Sequence, residues 1–370
     1  MRVRKKLIFL IPLIFFTIFF INLILSNANK GELRGEIVVW SSEVYYDYFI
    51  DIANEFEESN RKVDVKVISV KEEEYLDKIL NTNEKDLPNV VQLNFLEIDK
   101  IKDKIDFLQE NQNIIETYKK NFKDSRLQEV EINDEYYGIP FTSNPIILYV
   151  REDVLSKYGY EVHELNTWND LIRIGNEIKI KTSGEVNLFS HKDQNNIELV
   201  LISQLVDNNI NSKESILKEI NKIYNEIFVT EDNNYLYRIA SLDFLNNIIN
   251  DKSIGMWECK TIPSYKVGEN KFFDIGGKSL VALNVNKNRE AIKEFISFSA
   301  TNKDLLSKEL LDIKFFPSSL YALNVKEKEL GKENIKGNNP FLILVNVAER
   351  APSIKNYDKF KEVLIDFYYN

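Results

Sequence analysis

Trp40-Ser41-Ser42-Glu43 puts an aromatic face, two hydroxyls and a carboxylate directly after the apolar run EIVVW. That run reads as a short buried strand, and the residues beyond it as a helix. At the carboxyl end of a strand in an open parallel sheet, beside the free amides of a helix N-terminus, such groups suit hydrogen bonding and stacking to a small ligand rather than covalent chemistry. A packing role fits the same residues, with Ser41 or Ser42 capping the helix and Trp40 in the core. Asn94, followed by Phe95, stands in the equivalent place after the strand-like PNVVQL and is equally suited to cap the next helix. Tyr137, Phe141 and Asn144 flank or enter the polar run Thr142-Ser143-Asn144. Their rings match the apolar faces of a sugar and the amide matches its hydroxyls, with packing the alternative for Phe141. Trp257-Glu258 pairs a ring with a carboxylate, either a sugar platform or a Trp packed beneath a loop. Gly277 is a candidate contact, although Gly276-Gly277 also suits a turn before a strand.

Catalytic chemistry has no comparable assembly. There is no phosphate loop, metal-spaced histidine pair or nucleophile elbow. The two histidines, His163 and His191, are far apart in sequence and suit surface positions. Carboxylates are abundant, but nothing isolates a pair at a defined site, and Glu72-Glu73-Glu74 reads as a solvated helix face. The segment from Asp207 resembles a calcium loop only loosely, because Ser212 stands where glycine belongs and Lys218 where a bidentate glutamate is needed. The expectation is a binding protein with no catalytic residues, no metal and no cofactor.

The first 28 of the 370 residues stand apart. A basic MRVRKK precedes an uncharged apolar stretch over residues 7–25, which reads as a cleaved signal peptide or a retained anchor. Ser26-Asn27-Ala28 offers small residues for cleavage. Positive charge before the stretch places the remainder outside the cytoplasm. Removing the leader's four basic residues takes the formal charge from -10 to -14, which repels phosphate backbones and excludes nucleic acid as a natural partner. The single cysteine, Cys259, allows no internal disulfide and lies far from a lipid-attachment position.

These residues need elements to hold them. EIVVW (36–40), a helix with Tyr45, Phe49, Ile52 and Phe56 on one face, VDVKVISV (63–70), an acidic helix from Glu72, PNVVQL (88–93) and a helix carrying Ile98, Ile101 and Ile105 alternate strand and helix. Such alternation predicts a mostly parallel sheet with helices on its faces. NTWNDLIRIGNEIKIK is a helix capped by Asn166 or Thr167. From about 197 to 250 the periodicity is helical almost throughout, broken by DNNIN and VTEDNN. After a turn and strand in FFDIGGKSLVALNVNKN, further helices complete the chain, broken at FFPSSLYAL.

The run DEYYGIPFTSNPIILYVREDVLSKYGYEVHELNTWNDLIRIGNEI resembles the signature of extracellular solute-binding proteins of ABC importers, the group that includes maltose- and oligosaccharide-binding proteins. The resemblance rests on Tyr137-Gly138-Ile139-Pro140, on Tyr149 with Arg151-Glu152-Asp153, and on Thr167-Trp168 with Asp170-Leu171. GEIVVWSSEVYYDYFIDIANEFEESNRKVDVKVI is similar to the family's first strand, helix and second strand. IGGKSLVALNVNKNREAIKEFISFSATNKDLLSKE resembles its late re-entry into the first lobe, and ERAPSIKNYDKF an element near its end. The resemblance implies an α/β, two-lobed periplasmic-binding-protein-like fold, each lobe a mostly parallel sheet flanked by helices. Hinge strands would cross between the lobes at 142–144 and 315–317. It implies an N-terminal lobe of 36–143 and 277–314 and a C-terminal lobe of 144–276 and 315–370, after a leader of 1–28. The implied function is capture of a carbohydrate and its delivery to ABC permease subunits. Two further readings stay open: a membrane-anchored ectodomain that senses a ligand or contacts a protein, and a binder of polyamine or another non-sugar solute.

Overall fold

The structure is a computed structural model and describes residues 32–105, 115–208, 212–227, 234–250, 252–283, 287–325 and 334–369. The leader lies outside these residues, and among the described residues no helix is long and apolar enough to cross a membrane.

The first elements form as their periodicities require. β1 (Gly35–Ser42) pairs in parallel with β2 (Val63–Val70) along its full length, and with β3 (Val90–Leu93) on its other side. The connections are α1 (Tyr46–Ser59) and α2 (Glu72–Asn81), and α3 (Phe95–Ile101) follows β3. Because side chains alternate along a strand, β1 feeds two cores. Ile37 and Val39 pack with Phe49, Ile52 and Phe56 of α1, while Trp40 packs with Tyr75 of α2 and Ile98 of α3.

After α4 (Asp124–Gln128), a hairpin of β4 (Glu131–Ile132) and β5 (Glu135–Tyr136) leads to β6 (Ile139–Pro140), β7 (Thr142–Ser143) and β8 (Pro145–Arg151). β6 is the edge of the first sheet, where Pro140 does not interrupt a central ladder. Between β6 and β3, antiparallel to both, lies a strand from much later in the chain, Ser279–Ala282, and the sheet runs β2-β1-β3-this strand-β6.

β8, buried at every position from Pro145 to Val150, is the spine of a second sheet. Around it lie β9 (Asn187–Phe189), β10 (Tyr235–Ala240), β11 (Trp257–Lys260), β12 (Phe273–Asp274) and, after β13 (Ser279–Ala282) and β14 (Phe316–Pro317), β15 (Ile335–Lys336). The order is β15-β11-β8-β10-β9, with β12 on the start of β8. β10, β11 and β12 run antiparallel to β8, whereas β9 and β15 run parallel to their neighbours. The second sheet is therefore mixed, where a mostly parallel one was expected. Later strands return to β8 by routes the βαβ rule does not describe.

Helices cover both faces of this sheet. α5 (Glu152–Lys157) follows β8; Ile146, Leu148 and Val150 then pack with α6 (Trp168–Lys181) and α7 (Gln194–Asp207), joined by α8 (Lys213–Ile227). Ile147 and Tyr149 meet α9 (Leu242–Ile249) and, beyond α10 (Arg289–Thr301) and α11 (Lys303–Leu311), α12 (Pro340–Arg350). The last helix, α13 (Tyr357–Tyr369), adds Phe360 and Leu364 to the α6–α7 side. Of the two expected caps for α6, Thr167 serves: its side chain accepts from Asp170 N while Asp170 accepts from Thr167 N. After the second of the two breaks expected over 197–250 the chain forms β10 rather than helix, and the last five residues of that strand are all buried. An apolar run covered on both faces carries neither the helical nor the alternating period.

Candidate functional site

Three short segments pass between the two sheets side by side. β7 pairs antiparallel with β14, Ser143 opposite Phe316 and Thr142 opposite Pro317. The third segment is 276–278: Phe141 N and Thr142 N both donate to Lys278 O, and Lys278 N donates to Thr142 Oγ1 at 2.9 Å. Ser318 Oγ donates to Thr142 O at 2.7 Å and lies 3.2 Å from Ser143 Oγ. Small polar side chains satisfy the backbone here because the crossings are too short to form full ladders. Gly277 permits the closest approach, since a Cβ on it would lie 2.1 Å from Thr142 O.

Beneath the crossings lies a buried ion pair. Arg126 of α4 donates to Glu129 through Nη1, and its Nε reaches Ser318 Oγ at 3.3 Å. Burial pushes the Glu129 carboxyl up to about 7, against the opposing pull of Arg126. Asp274 stands alongside, accepting from Asn144 N at 2.9 Å and from Gly276 N at 3.1 Å.

The crossings floor a cavity of about 830 Å³ lined from both sheets' sides. From the first come Tyr45, Asn94 and Phe95; from the second Asn195, Asn196, Ser241 and Asp243; from the crossings Asn144, Gly277, Lys278 and Phe315. A still larger hollow, of about 1320 Å³, is walled by Glu32, Arg34 and the outer sides of α1 and α10. It has no wall from the second sheet or the crossings, so it does not compete as an interlobe site. Within the cleft, the amides supply donors and acceptors, and the half-buried rings of Tyr45 and Phe95 supply apolar faces. Lys278 is bound to Glu97 and Glu72, each at 3.0 Å. Burial works against its charge, yet the two carboxylates hold the ammonium above its ordinary range. Glu72 is thus an ion-pair partner rather than only part of a solvated face.

Of the residues singled out in the sequence, Asn94, Asn144 and Gly277 line this cavity. Asn94 also caps α3, its side chain accepting from Glu97 N at 3.0 Å while Glu97 accepts from Asn94 N. Trp40, Ser41 and Ser42 belong to β1 and are buried. Trp40 O accepts from Tyr75 OH and Gln92 Nε2, Ser42 N donates to Gln92 Oε1, and neither serine caps a helix through its side chain. Glu43 is exposed just beyond the strand. Phe141 is fully buried, its ring 5.2–5.4 Å from those of Tyr45, Tyr48, Phe49 and Phe315. Tyr137 is half-buried against the core beside α2 and α3. Trp257 and Glu258 sit in β11, where Trp257 is buried against Phe244 and Glu258 faces Lys336 in register. None of these eight lines the cavity. Both histidines are exposed, and among the described residues no group of His, Cys, Asp or Glu is placed to hold a metal. The loop after Asp207 lies partly outside the described residues.

Sequence reasoning missed Tyr45, Asn195, Asn196, Ser241 and Asp243. The signal was available, because Asn195 and Asn196 open α7 after β9 and Asp243 opens α9 after β10. They occupy the same strand-end, helix-start position that marked Asn94.

Two α/β lobes, crossing strands and a polar, aromatic-edged cavity between them define a binding protein of the two-lobed, periplasmic type. The chain matches the bacterial extracellular solute-binding proteins over residues 51–327 and belongs to that family, one of binding proteins rather than enzymes. It is 21% identical over 267 residues to the arabinooligosaccharide-binding protein of Halalkalibacterium halodurans, covering 63% of this chain and 59% of that one. To the lactose-binding protein of Rhizobium radiobacter it is 29% identical over 105 residues, 28% of this chain and 22% of that one. The match thus spans 59% or less of the length of these curated relatives. Among solved structures, the fold is similar to the sugar-binding protein MalE from Xanthomonas citri (TM-score 0.66, 14% identity, 90% and 91% of the two chains). It is also similar to the cyclic alpha-maltosyl-1,6-maltose binding protein from Arthrobacter globiformis (TM-score 0.69, 13% identity, 90% and 94%).

Proposed function

We propose that this protein captures a sugar or short oligosaccharide outside the cytoplasm and delivers it to the permease of an ABC importer. The observation that carries the reading is the composition of the cleft: Asn94, Asn144, Asn195 and Asn196 with the rings of Tyr45 and Phe95, drawn from both lobes and the crossings. Amides match the alternating donors and acceptors of sugar hydroxyls, and rings match the apolar faces of the pyranose. A guest touching both lobes stabilises the closed arrangement, which a permease then recognises. The lobes divide as 36–143 with 277–314 and 144–276 with 315–370, and the N-terminal segment either is removed on export or holds the protein at the membrane. A polyamine fits less well, since the described cleft lining carries Lys192, Lys278 and Lys314 against one carboxylate, Asp243.

Isothermal titration of the purified full-length chain against arabinose-, xylose-, galactose- and glucose-based oligosaccharides tests the substrate class. Saturable binding accompanied by a smaller radius of gyration in X-ray scattering is expected. Heats of dilution across the whole panel would overturn the assignment. N-terminal sequencing of the mature protein decides between removal and anchoring.

A further inference from the structure

A second hollow, of about 320 Å³, opens on the second lobe at the outer ends of β8, β10 and β11, remote from the crossing at Pro145. Four basic side chains line it, Arg151, Arg238, Lys192 and Lys252, and its described lining contains no carboxylate. Each arginine is held from outside the hollow. Arg151 donates through Nε and Nη2 to Asp153 at 2.8 and 2.9 Å, and Arg238 donates through Nε to both oxygens of Asp193 at 2.8 Å. Lys192 and Lys252 have no ion-pair partner among the described residues, so the described lining carries two surplus positive charges. They stand on a protein whose overall formal charge is -10.

The walls are rigid. The Arg238 guanidinium lies 4.3 Å from the centroid of Phe244 and 5.2 Å from that of Tyr235, and its Nη1 donates to Tyr235 OH. Gly255, at φ +101°, presses on Arg151 so closely that a Cβ there would lie 2.1 Å from Arg151 Nε. Trp257 is buried among these groups, and its indole Nε1–H has no acceptor in the described fold. An unmet buried donor is costly unless a ligand or water supplies the acceptor.

The charged groups of the described lining are all cationic, so the complementary guest is rich in acceptors and negatively charged. Two surplus ammonium groups fit a dianion better than a carboxylate, and a phosphate monoester supplies three acceptor oxygens with a charge of about -1.5 to -2 near neutrality. A cavity of this volume is at the small end of the ligand range, roughly 300–1,000 Å³, which suits a guest the size of a sugar phosphate. We infer that this hollow is an anion site for a phosphate monoester of monosaccharide size, bound by Lys192 and Lys252 beside Trp257. Lys192 stands on the ridge shared with the cleft, whereas Lys252 and Trp257 lie outside the cleft lining.

Titration of the full-length chain with glucose 6-phosphate, with glucose and glucuronate as comparators, tests this. Glucose 6-phosphate is expected to bind more tightly than either and to shift the Trp257 indole N–H resonance, assigned by its loss in Trp257→Phe. Lys252→Glu, at an exposed position, is expected to weaken that binding by about tenfold or more, and Lys252→Gln by a smaller factor. Equal affinity in wild type and Lys252→Glu, an unmoved indole resonance, or glucuronate binding as tightly as glucose 6-phosphate would each overturn the assignment. Oligosaccharide binding in the cleft is expected to be unchanged in Lys252→Glu, so the fate of this site is read separately from that of the cleft.

Discussion

Gly277 lies against the carbonyl oxygen of Thr142, with no room between two crossing segments for even a methyl group: a Cβ would sit 2.1 Å from that oxygen. Gly277→Ala must therefore push one backbone away from the other rather than bend a side chain. The expected cost is about 1–3 kcal/mol, read as a lower midpoint in denaturant unfolding. An unchanged midpoint would mean that the crossings separate freely.

The Glu129 carboxyl binds its proton more tightly in the folded chain than in the unfolded one, since burial lifts it from 4.5 to about 7. Its contribution is fully present below about 4.5 and is lost as pH rises through about 7. Glu129→Gln, which cannot ionise, stands in for the protonated carboxyl and is expected to flatten the fall in melting temperature between about pH 5.5 and 7.5. Parallel melting curves of variant and wild type across that range would count against the assignment.

Phe95, at the start of α3, reaches out of its own lobe: its ring is 6.0 Å from Tyr357 and 6.2 Å from Phe360, both of α13. Phe95→Ala removes this contact between lobes and one of the cleft's two half-buried aromatic faces. The aromatic pairing alone is worth about 0.5–1.5 kcal/mol beyond buried area. A larger radius of gyration without ligand and weaker oligosaccharide binding are expected, by small-angle scattering and titration respectively.

Asn94 has two roles that one pair of variants separates. Asn94→Ala loses a capping box, as does Thr167→Ala in the second lobe, and each is expected to cost about 1 kcal/mol in stability. Only Asn94→Ala is expected also to weaken oligosaccharide binding, because Thr167 is not among the residues lining the cavity. Equal ligand affinities in the two variants would assign Asn94 to capping alone.

The first lobe was readable because its elements follow local rules. α1 and β2 each carry one clean period, β1 is a short apolar run, and the capped starts of α3 and α6 carry their own markers. The second sheet was less readable because β10 is buried on both faces and pairs with β8 across a long separation in sequence. Residues chosen for hydrogen-bonding capacity landed in two places. Asn94 and Asn144 reach the cleft, while Ser41 and Ser42 are turned into the β1 ladder beside Gln92. A strand continuing two residues past its apolar run moves its terminal hydroxyls from the open end into the sheet. Trp257 illustrates the same limit, because an aromatic residue next to a carboxylate reads alike on a cleft wall and in a packed strand.

The placement of β13 constrains how the molecule comes into being. The first sheet needs Ser279–Ala282 wedged between β3 and β6, yet the whole body of the second sheet up to β12 is synthesised before it. A chain emerging through a secretion pore can pair β1 with β2 and β3 early, but β6 has no neighbour until β13 arrives. Until then the half-built sheet exposes unpaired edge groups to any strand nearby. Secretion that stalls before residue 282 leaves an aggregation-prone fragment rather than a finished first lobe.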